Sequence, residues 1–407
     1  MRFLIIGGGF SNNGAEAMLL SVSNFLKRRF PGCSILHHAD VESWQEPAVR
    51  AGMTPLAPLP YVARNIRIRE FVRAAIWPRF RSTRLGLTEG LYDGVVGVLD
   101  VSGFRSSDQM DGNDQRWWEI HQLKSLGVPI VFLPQAWGPF RRLGSRMYTR
   151  ALLRGIPLVF ARDRESLQHL HSLRVVPESA LSLAADVAFQ FQPSAPEVGL
   201  SILKEAGVDL SSRPLIGVAP SIVLYRQVPG EGAGNAYVQA LASVCEHLVR
   251  QSGGTVVVIP HYVRQGDKPD DRFIGRSLAQ TKRLGDSLRL IECDYPSADL
   301  KAVIGQLDFL IASRFHSLVA ALSMRVPLAA VGWSHKYVEL MGDAGMRDYV
   351  ASTREVRNGD VEVVKAAWER RDDLKARLVE HVPALEESSA QALERAAQVV
   401  AAAASGS

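Results

Sequence analysis

The sequence predicts an α/β protein of two doubly wound, Rossmann-like domains. Three observations lead there. Short apolar runs alternate with helical patterns along nearly the whole chain. Many of the runs are rich in Val and Ile and apolar at consecutive positions, as strands covered on both faces must be. The length of 407 residues exceeds what one ordinary hydrophobic core serves. Such alternation implies parallel sheets with right-handed crossovers.

Taken in order, the first strand candidates are Arg2–Gly7, Ser34–His38, Gly94–Ser102, Pro129–Leu133, Leu158–Ala161 and Leu181–Val187. The second set is Leu215–Ala219, Thr255–Pro260, Leu288–Glu292, Phe309–Ala312 and Leu328–Gly332. Met18, Val22, Phe25 and Leu26 form a helical stripe after the first strand. From Gln190 to Pro214 the alternation breaks, with "FQPSAPEVG" and "SSRP" around one short helix. The boundary is placed there. It gives an N-terminal domain 1–192, a C-terminal domain 193–383, and a helix and tail 384–407. The two domains are expected to face each other across a cleft, with ligands at the carboxyl ends of strands.

Composition is that of a globular protein, 47% hydrophobic and 22% charged. A net charge of +5 is a weak pointer to anionic partners, and nothing points to nucleic acid. Cys33, Cys245 and Cys293 are odd in number and far apart, which fits neither a disulfide framework nor a metal site. A reducing compartment is expected. The apolar run in MRFLIIGGGF is about five residues, too short for a signal peptide. No run approaches the roughly 18 residues of a membrane span. The expected location is cytoplasmic.

One stretch departs from the pattern. Arg64 to Arg84 holds seven arginines and one acid, Glu70. Ile68, Phe71, Val72, Ala75 and Ile76 share a helical face there. Either this is an amphipathic helix packed on its own domain, or it is a peripheral contact with the inner, anionic face of a membrane.

The chemistry-bearing residues gather after strands. In GGGFSNNGAEAML, Gly7 to Leu19, glycines lead into a helix starting near Asn13. Asn13 and Gly14 either offer N–H groups to an anion or form a turn capped by Asn12 or Asn13. The spacing is not that of a dinucleotide fingerprint. Glu16 lies in the first helical turn. FLPQAWGPF places the Gln135 amide at a strand end, and in FARDRES Arg162 can pair with Asp163 or Asp186 while Asp163 caps a helix. Ser221, Tyr225 and Arg226 follow Leu215–Ala219, and His261, Arg264 and Asp267 follow the next strand. In SRFHS, Ser313 to Ser317, Arg314 offers a planar fork to a carboxylate or phosphate. His316, two residues on, can hold or give a proton near neutral pH. Otherwise it is a helix-start residue with satisfied hydrogen bonds. No metal-ligand cluster is visible, and no cofactor is called for.

SRFHSLVAALSMRVPLAAVGWSHKYVELMGDAGMRDY, Ser313 to Tyr349, resembles the polysaccharide pyruvyl transferase family, together with NNGAEA, LPQAWGP and ARDRES in the same order. The resemblance implies a fold like that of B-type glycosyltransferases. It implies transfer of pyruvate from phosphoenolpyruvate to two hydroxyls of one sugar, giving a cyclic ketal and phosphate. The acceptor would be a cell-surface polysaccharide or its lipid-linked precursor. Arg314 and His316 match the donor site, flanked by Ser313 and Ser317. A second arginine is expected from another loop, with Arg226 the candidate because Ser221 stands where relatives carry arginine. His261, Lys336, Gln135, Asn13 and Gly14 complete the expected substrate contacts. His316 would be the acid and Glu16 the base, with Asp267 as the other candidate base. Ala15 replaces the family's aspartate and Phe315 its leucine. The competing readings are a nucleotide-sugar glycosyltransferase of the same fold and a non-catalytic binding protein of envelope assembly.

Overall fold

The computed structural model describes residues 1–10, 12–38, 45–56, 90–108, 113–264, 268–332 and 334–405. The arginine-rich stretch Arg64 to Arg84 and Asp267 lie outside these residues.

The first sheet comprises β1 (Arg2–Ile6), β2 (Ser34–His38), β3 (Thr54–Leu56), β4 (Val95–Asp100), β5 (Ile130–Gln135), β6 (Leu158–Ala161) and β7 (Leu181–Leu183). The second comprises β8 (Leu215–Ala219), β9 (Thr255–Val258), β10 (Leu288–Leu290), β11 (Phe309–Ala312), β12 (Leu328–Gly332) and β13 (Val350–Ser352). Their orders are β3-β2-β1-β4-β5-β6-β7 and β10-β9-β8-β11-β12-β13. All the described pairs are parallel. This is the doubly wound arrangement expected, twice over. The eleven expected strands are present. The two that the sequence did not reveal, β3 and β13, are three residues each and lie at sheet edges. Each has one buried residue, Leu56 and Ala351, and Pro55 in β3 is tolerated because an edge strand need not donate on both sides.

By contacts the chain forms two units. One is Met1–Phe10, Met18–Val187 and Ser388–Ser407, and the other is Ser11–Ala17 with Ala188–Glu387. The division thus falls at Val187 and Glu387, against the expected 192 and 383. The segment carrying Asn13, Gly14 and Glu16 groups with the second unit, not with the first as expected. The final helix begins at Arg371, runs through Pro383 and ends at Ser405. The short helix in the linker region is Pro196–Glu205.

The core of the first unit joins Leu4, Ile6, Val98, Phe132 and Val159 from its strands with Trp117, Trp118 and Trp137. Within that unit, Asp163 caps the helix Arg164–Leu173 by accepting the Ser166 N–H at 2.7 Å, and Arg162 pairs with Asp186 at 2.6 Å. In the second unit Val257, Phe309, Leu310 and Ala329 are fully buried, and Phe309 meets Trp368 edge-on at 5.5 Å. Among the described residues no helix is long and apolar enough to cross a membrane.

In the second sheet the strand order reverses between β8 and β11, where Ala219 sits opposite Ala312 in register. Doubly wound sheets open their ligand crevice at such a point, because adjacent loops there turn to opposite faces. Ser221 and the SRFH stretch follow these two strands.

Asn235 secures the same region from behind. Its side-chain oxygen accepts the Tyr237 N–H at 3.1 Å and caps the helix Ala236–Ser252. Its amide donates to the carbonyls of Tyr225, Val228 and Gly230 at 3.2, 3.3 and 2.9 Å. Asn235→Ala removes the cap and strands three loop carbonyls. We expect urea unfolding to show a loss of about 2 kcal/mol. A loss below about 0.5 kcal/mol, the scale of a neutral surface change, contradicts this role.

Candidate functional site

The site is organised by Asp271, the first residue of the helix Asp271–Gln280. Its carboxylate is 0% exposed. It accepts the backbone N–H groups of Ile222 and Tyr262 at 2.9 Å and of His261 at 3.3 Å. It also accepts Arg314 Nε at 2.9 Å and Arg314 Nη2. One carboxylate therefore ties together the loops that follow β8, β9 and β11.

The Arg314 fork that the sequence assigned to an anionic substrate is thus committed to Asp271. The physical reason is burial: a carboxylate at this depth needs a charged partner as well as amide donors. Burial opposes the Arg314 charge, yet the attraction and hydrogen bonds of Asp271 hold the guanidinium above its usual range. Desolvation also pushes the Asp271 carboxyl up, against Arg314 and the amides of Ile222 and His261. The two tendencies conflict at this pair. Five converging donors leave no oxygen lone pair for a proton, so we take the pair as charged. Among the described residues Arg314 Nη1 has no acceptor, which leaves that edge for a ligand. The guanidinium also lies over the Tyr262 ring, 5.3 Å from its centroid.

Ser313 and Ser317 serve the frame. The Tyr237 hydroxyl donates to Ser313 Oγ at 2.7 Å and accepts the Ser221 N–H at 3.3 Å. The Ser313 N–H donates to the Ala219 carbonyl at 2.9 Å, and Tyr337 donates its hydroxyl to the Ser313 carbonyl at 3.0 Å. Ser317 Oγ donates to the Arg314 carbonyl at 2.7 Å, inside the first turn of the helix Phe315–Ser323.

His316 lies over the backbone of Gly14. A methyl group added at Gly14 would come within 2.0 Å of His316 Nδ1, so only glycine admits the ring. The expected anion cradle at Asn13 and Gly14 is otherwise engaged. The Asn13 N–H donates to the His261 carbonyl at 3.2 Å, and the Gly14 N–H donates to Asn12 Oδ1 at 2.9 Å. Asn13 also donates its amide to the Tyr295 carbonyl at 3.1 Å. Asn12 caps the turn, and the segment acts as a wedge for His316.

His261 Nδ1 lies 3.2 Å from the Ile259 carbonyl, which can only accept, so the proton sits on Nδ1. Burial pushes the His261 pKa down to about 4, with Arg314 and His316 adding to the effect. Glu16 meets Ser297, whose hydroxyl lies 2.7 Å from Glu16 Oε2 and 2.8 Å from the Asn13 carbonyl oxygen. Burial pushes the Glu16 carboxyl up to about 7; Ser297 opposes this, and Asp294 and Asp299 add to it.

A small cavity of about 20 Å³ is lined by Gly14, His261, Ser297, His316 and Lys301 among others. Lys301 was not apparent from the sequence. It stands in SADLKAVI, where the following Ala302, Val303 and Ile304 are all buried. That apolar run is the one signal that the lysine is drawn inward.

Lys336, Arg226 and Gln135 do not line this cavity. Lys336 Nζ lies 5.5 Å from the Phe315 ring centroid and 5.8 Å from that of Tyr337. Arg226 is exposed and donates Nη2 to the Pro269 carbonyl at 3.4 Å, beside the loop that carries Asp271. Gln135 ends β5 in the first unit, with its side chain buried. Among the described residues no group of three or more His, Cys, Asp or Glu is placed to hold a metal ion.

Asp271→Asn leaves the Arg314 charge buried without its counter-ion and turns one acceptor oxygen into a donor facing other donors. Breaking one partner of a buried pair costs about 3–5 kcal/mol. Chemical denaturation should show a loss of that order. A variant as stable as the parent would mean that the carboxylate does not organise the three loops.

Comparison with known proteins adds the family. The polysaccharide pyruvyl transferase family matches residues 12–335. No curated protein matches the sequence. Among solved structures, a glycosyltransferase from Rickettsia africae ESF-5 is similar at 10% identity and TM-score 0.59, over 98% of each chain. The S. aureus MnaA–UDP complex is similar at 12% identity and TM-score 0.60, over 97% of this chain and 94% of that one. A UDP-GlcNAc 2-epimerase from Neisseria meningitidis, bound to UDP-GlcNAc, gives 11% and 0.56, over 98% and 100%. These likenesses establish the fold, two Rossmann-like domains of the B-type glycosyltransferase kind. The sequence match runs through NNGAEA, LPQAWGP, ARDRES and SRFH, and with it the chain belongs to the polysaccharide pyruvyl transferase family.

Proposed function

We propose that the protein transfers pyruvate from phosphoenolpyruvate to two hydroxyls of a sugar in a polysaccharide or its lipid-linked precursor, forming a cyclic ketal. The observation that carries this reading is the seating of His316. It stands at the β8/β11 reversal, packed on Gly14, two residues from an arginine with one open edge. An acid and a cation at one strand end suit a small anion that must be protonated.

The chemistry then follows. Arg314 Nη1 holds an anionic oxygen of the donor, while Asp271 fixes the guanidinium plane. His316, as imidazolium, gives its proton to the methylene carbon of the enol, and C2 becomes electrophilic. A sugar hydroxyl attacks C2 as Glu16 takes its proton. Phosphate leaves, taking the proton that Glu16 holds, and the second hydroxyl closes the ketal as its own proton returns to His316. The donor is a substrate, so no cofactor enters.

Phosphate release from phosphoenolpyruvate in the presence of candidate sugar acceptors tests the reading directly. His316→Gln keeps a hydrogen-bonding side chain but cannot transfer the proton. It should bind the donor normally and lose about 10²–10⁴-fold in rate. Near-normal turnover would reduce His316 to a structural residue.

Glu16 makes a separate prediction. A base must be ionised, and burial has pushed this carboxyl up to about 7. The acidic limb of the pH–rate profile should therefore rise through about 7. Glu16→Gln should abolish that limb; a limb that survives the substitution assigns the base elsewhere.

A further inference from the structure

We propose that Lys301 is an additional substrate-binding residue, whose ammonium at the wall of the cavity beside His316 holds the carboxylate of the three-carbon donor. The inference rests on the function proposed above and adds a residue that neither the motifs nor the family match singles out.

Four observations carry it. First, Lys301 is 5% exposed and lines the same cavity as His316 and His261. A cation at that depth normally has a counter-ion. Second, among the described residues its ammonium has one hydrogen-bond acceptor, the Phe191 carbonyl oxygen, with the Phe191 ring centroid 6.0 Å away. An ammonium has three N–H donors, so two remain to be used.

Third, the acids nearby are engaged elsewhere. Glu386 attracts Lys301, but Arg325 holds both of its carboxylate oxygens. Asp299 accepts the Ser194 hydroxyl, and Glu16 accepts that of Ser297. Burial pulls the Lys301 pKa down to about 8, Glu386 opposing and Arg325 adding to it, and the side chain stays largely charged at neutral pH. Fourth, the space of about 20 Å³ at that wall suits one small group, such as the end of a compact acid, and the Arg314 edge, which does not line it, is left for the phosphate.

The test separates the two ends of the donor. Binding of phosphoenolpyruvate, pyruvate and inorganic phosphate is measured by calorimetry on the wild type, Lys301→Gln and Lys301→Met, alongside melting temperatures. Gln preserves a donor for the Phe191 carbonyl, so it decides the matter if the Met variant does not fold. The expected result is that Lys301→Gln weakens phosphoenolpyruvate and pyruvate tenfold or more and leaves inorganic phosphate unchanged. A purely structural lysine would alter the melting temperature and affect the three probes alike or not at all. Unchanged affinity for the carboxylate probes in Lys301→Gln overturns the inference and leaves the proposed reaction standing. A wild type that binds pyruvate through Lys301 but not phosphoenolpyruvate overturns the donor assignment and keeps the carboxylate site. A wild type that binds none of the three overturns both.

Discussion

The second unit depends on one buried carboxylate. Asp271 draws in three backbone N–H groups and one guanidinium, from loops that would otherwise diverge after β8, β9 and β11. Such a pair gains little over well-packed apolar side chains in net stability, because both charges are desolvated. What it supplies is position. A carboxylate offers about four lone-pair directions, and five donors can share them only in a narrow range of geometries. The plane of Arg314, the start of the helix Phe315–Ser323 and hence the ring of His316 follow from that geometry. Losing the carboxylate would expose the cost of burying Arg314 and release all three loops at once.

The fold was legible in the sequence because parallel strands leave apolar runs, continuous in the buried central strands such as β5, β8 and β11. The edge strands β3 and β13 were not legible: TPL is interrupted by Pro55 and VAS closes at Ser352, whereas the equally short β7 and β10 run on into apolar Ala184 and Ile291. The SRFH stretch stood out for the same reason as the strands. Charged side chains directly after a fully buried run, Phe309–Ala312, must be there for a partner. The partner could not be read. Asp271 sits in DKPDDRF, a charged stretch that looks like a solvated loop, and the ion pair joins residues 43 apart in sequence. Lys301 was hidden by its helix, where one lysine among apolar residues also suits a side chain that reaches the surface. The segment around Gly14 was misplaced because strand–helix succession suggests that a helix stays with its own sheet, whereas its first turn groups with the other unit.

Gly14 shows how a glycine-rich turn can serve a site without cradling phosphate. The N–H groups of Asn13 and Gly14 are taken by the His261 carbonyl and the Asn12 side chain. The turn instead supplies a flat backbone surface against His316, which any Cβ would occupy. Its next residues reach Ser297, so the carboxyl of Glu16 also holds the first turn of the helix Ser297–Ile304, where its charge is favoured. That placement opposes, without cancelling, the burial that raises its pKa. A carboxyl balanced near neutrality can accept a proton from a weak acid such as a sugar hydroxyl as the transition state forms, and this balance suits a general base.

The charges of the site add up unevenly. Arg314 is neutralised by Asp271 at contact distance. His261 is held neutral by burial, with its proton on Nδ1. Glu16 stands near half-ionisation at neutral pH. The positive charge without a dedicated counter-ion among the described residues is therefore at Lys301, beside the proton-carrying candidate His316. A buried cation without its own counter-ion carries a desolvation cost that a bound anion offsets, so the uneven charge of this wall favours an anionic ligand.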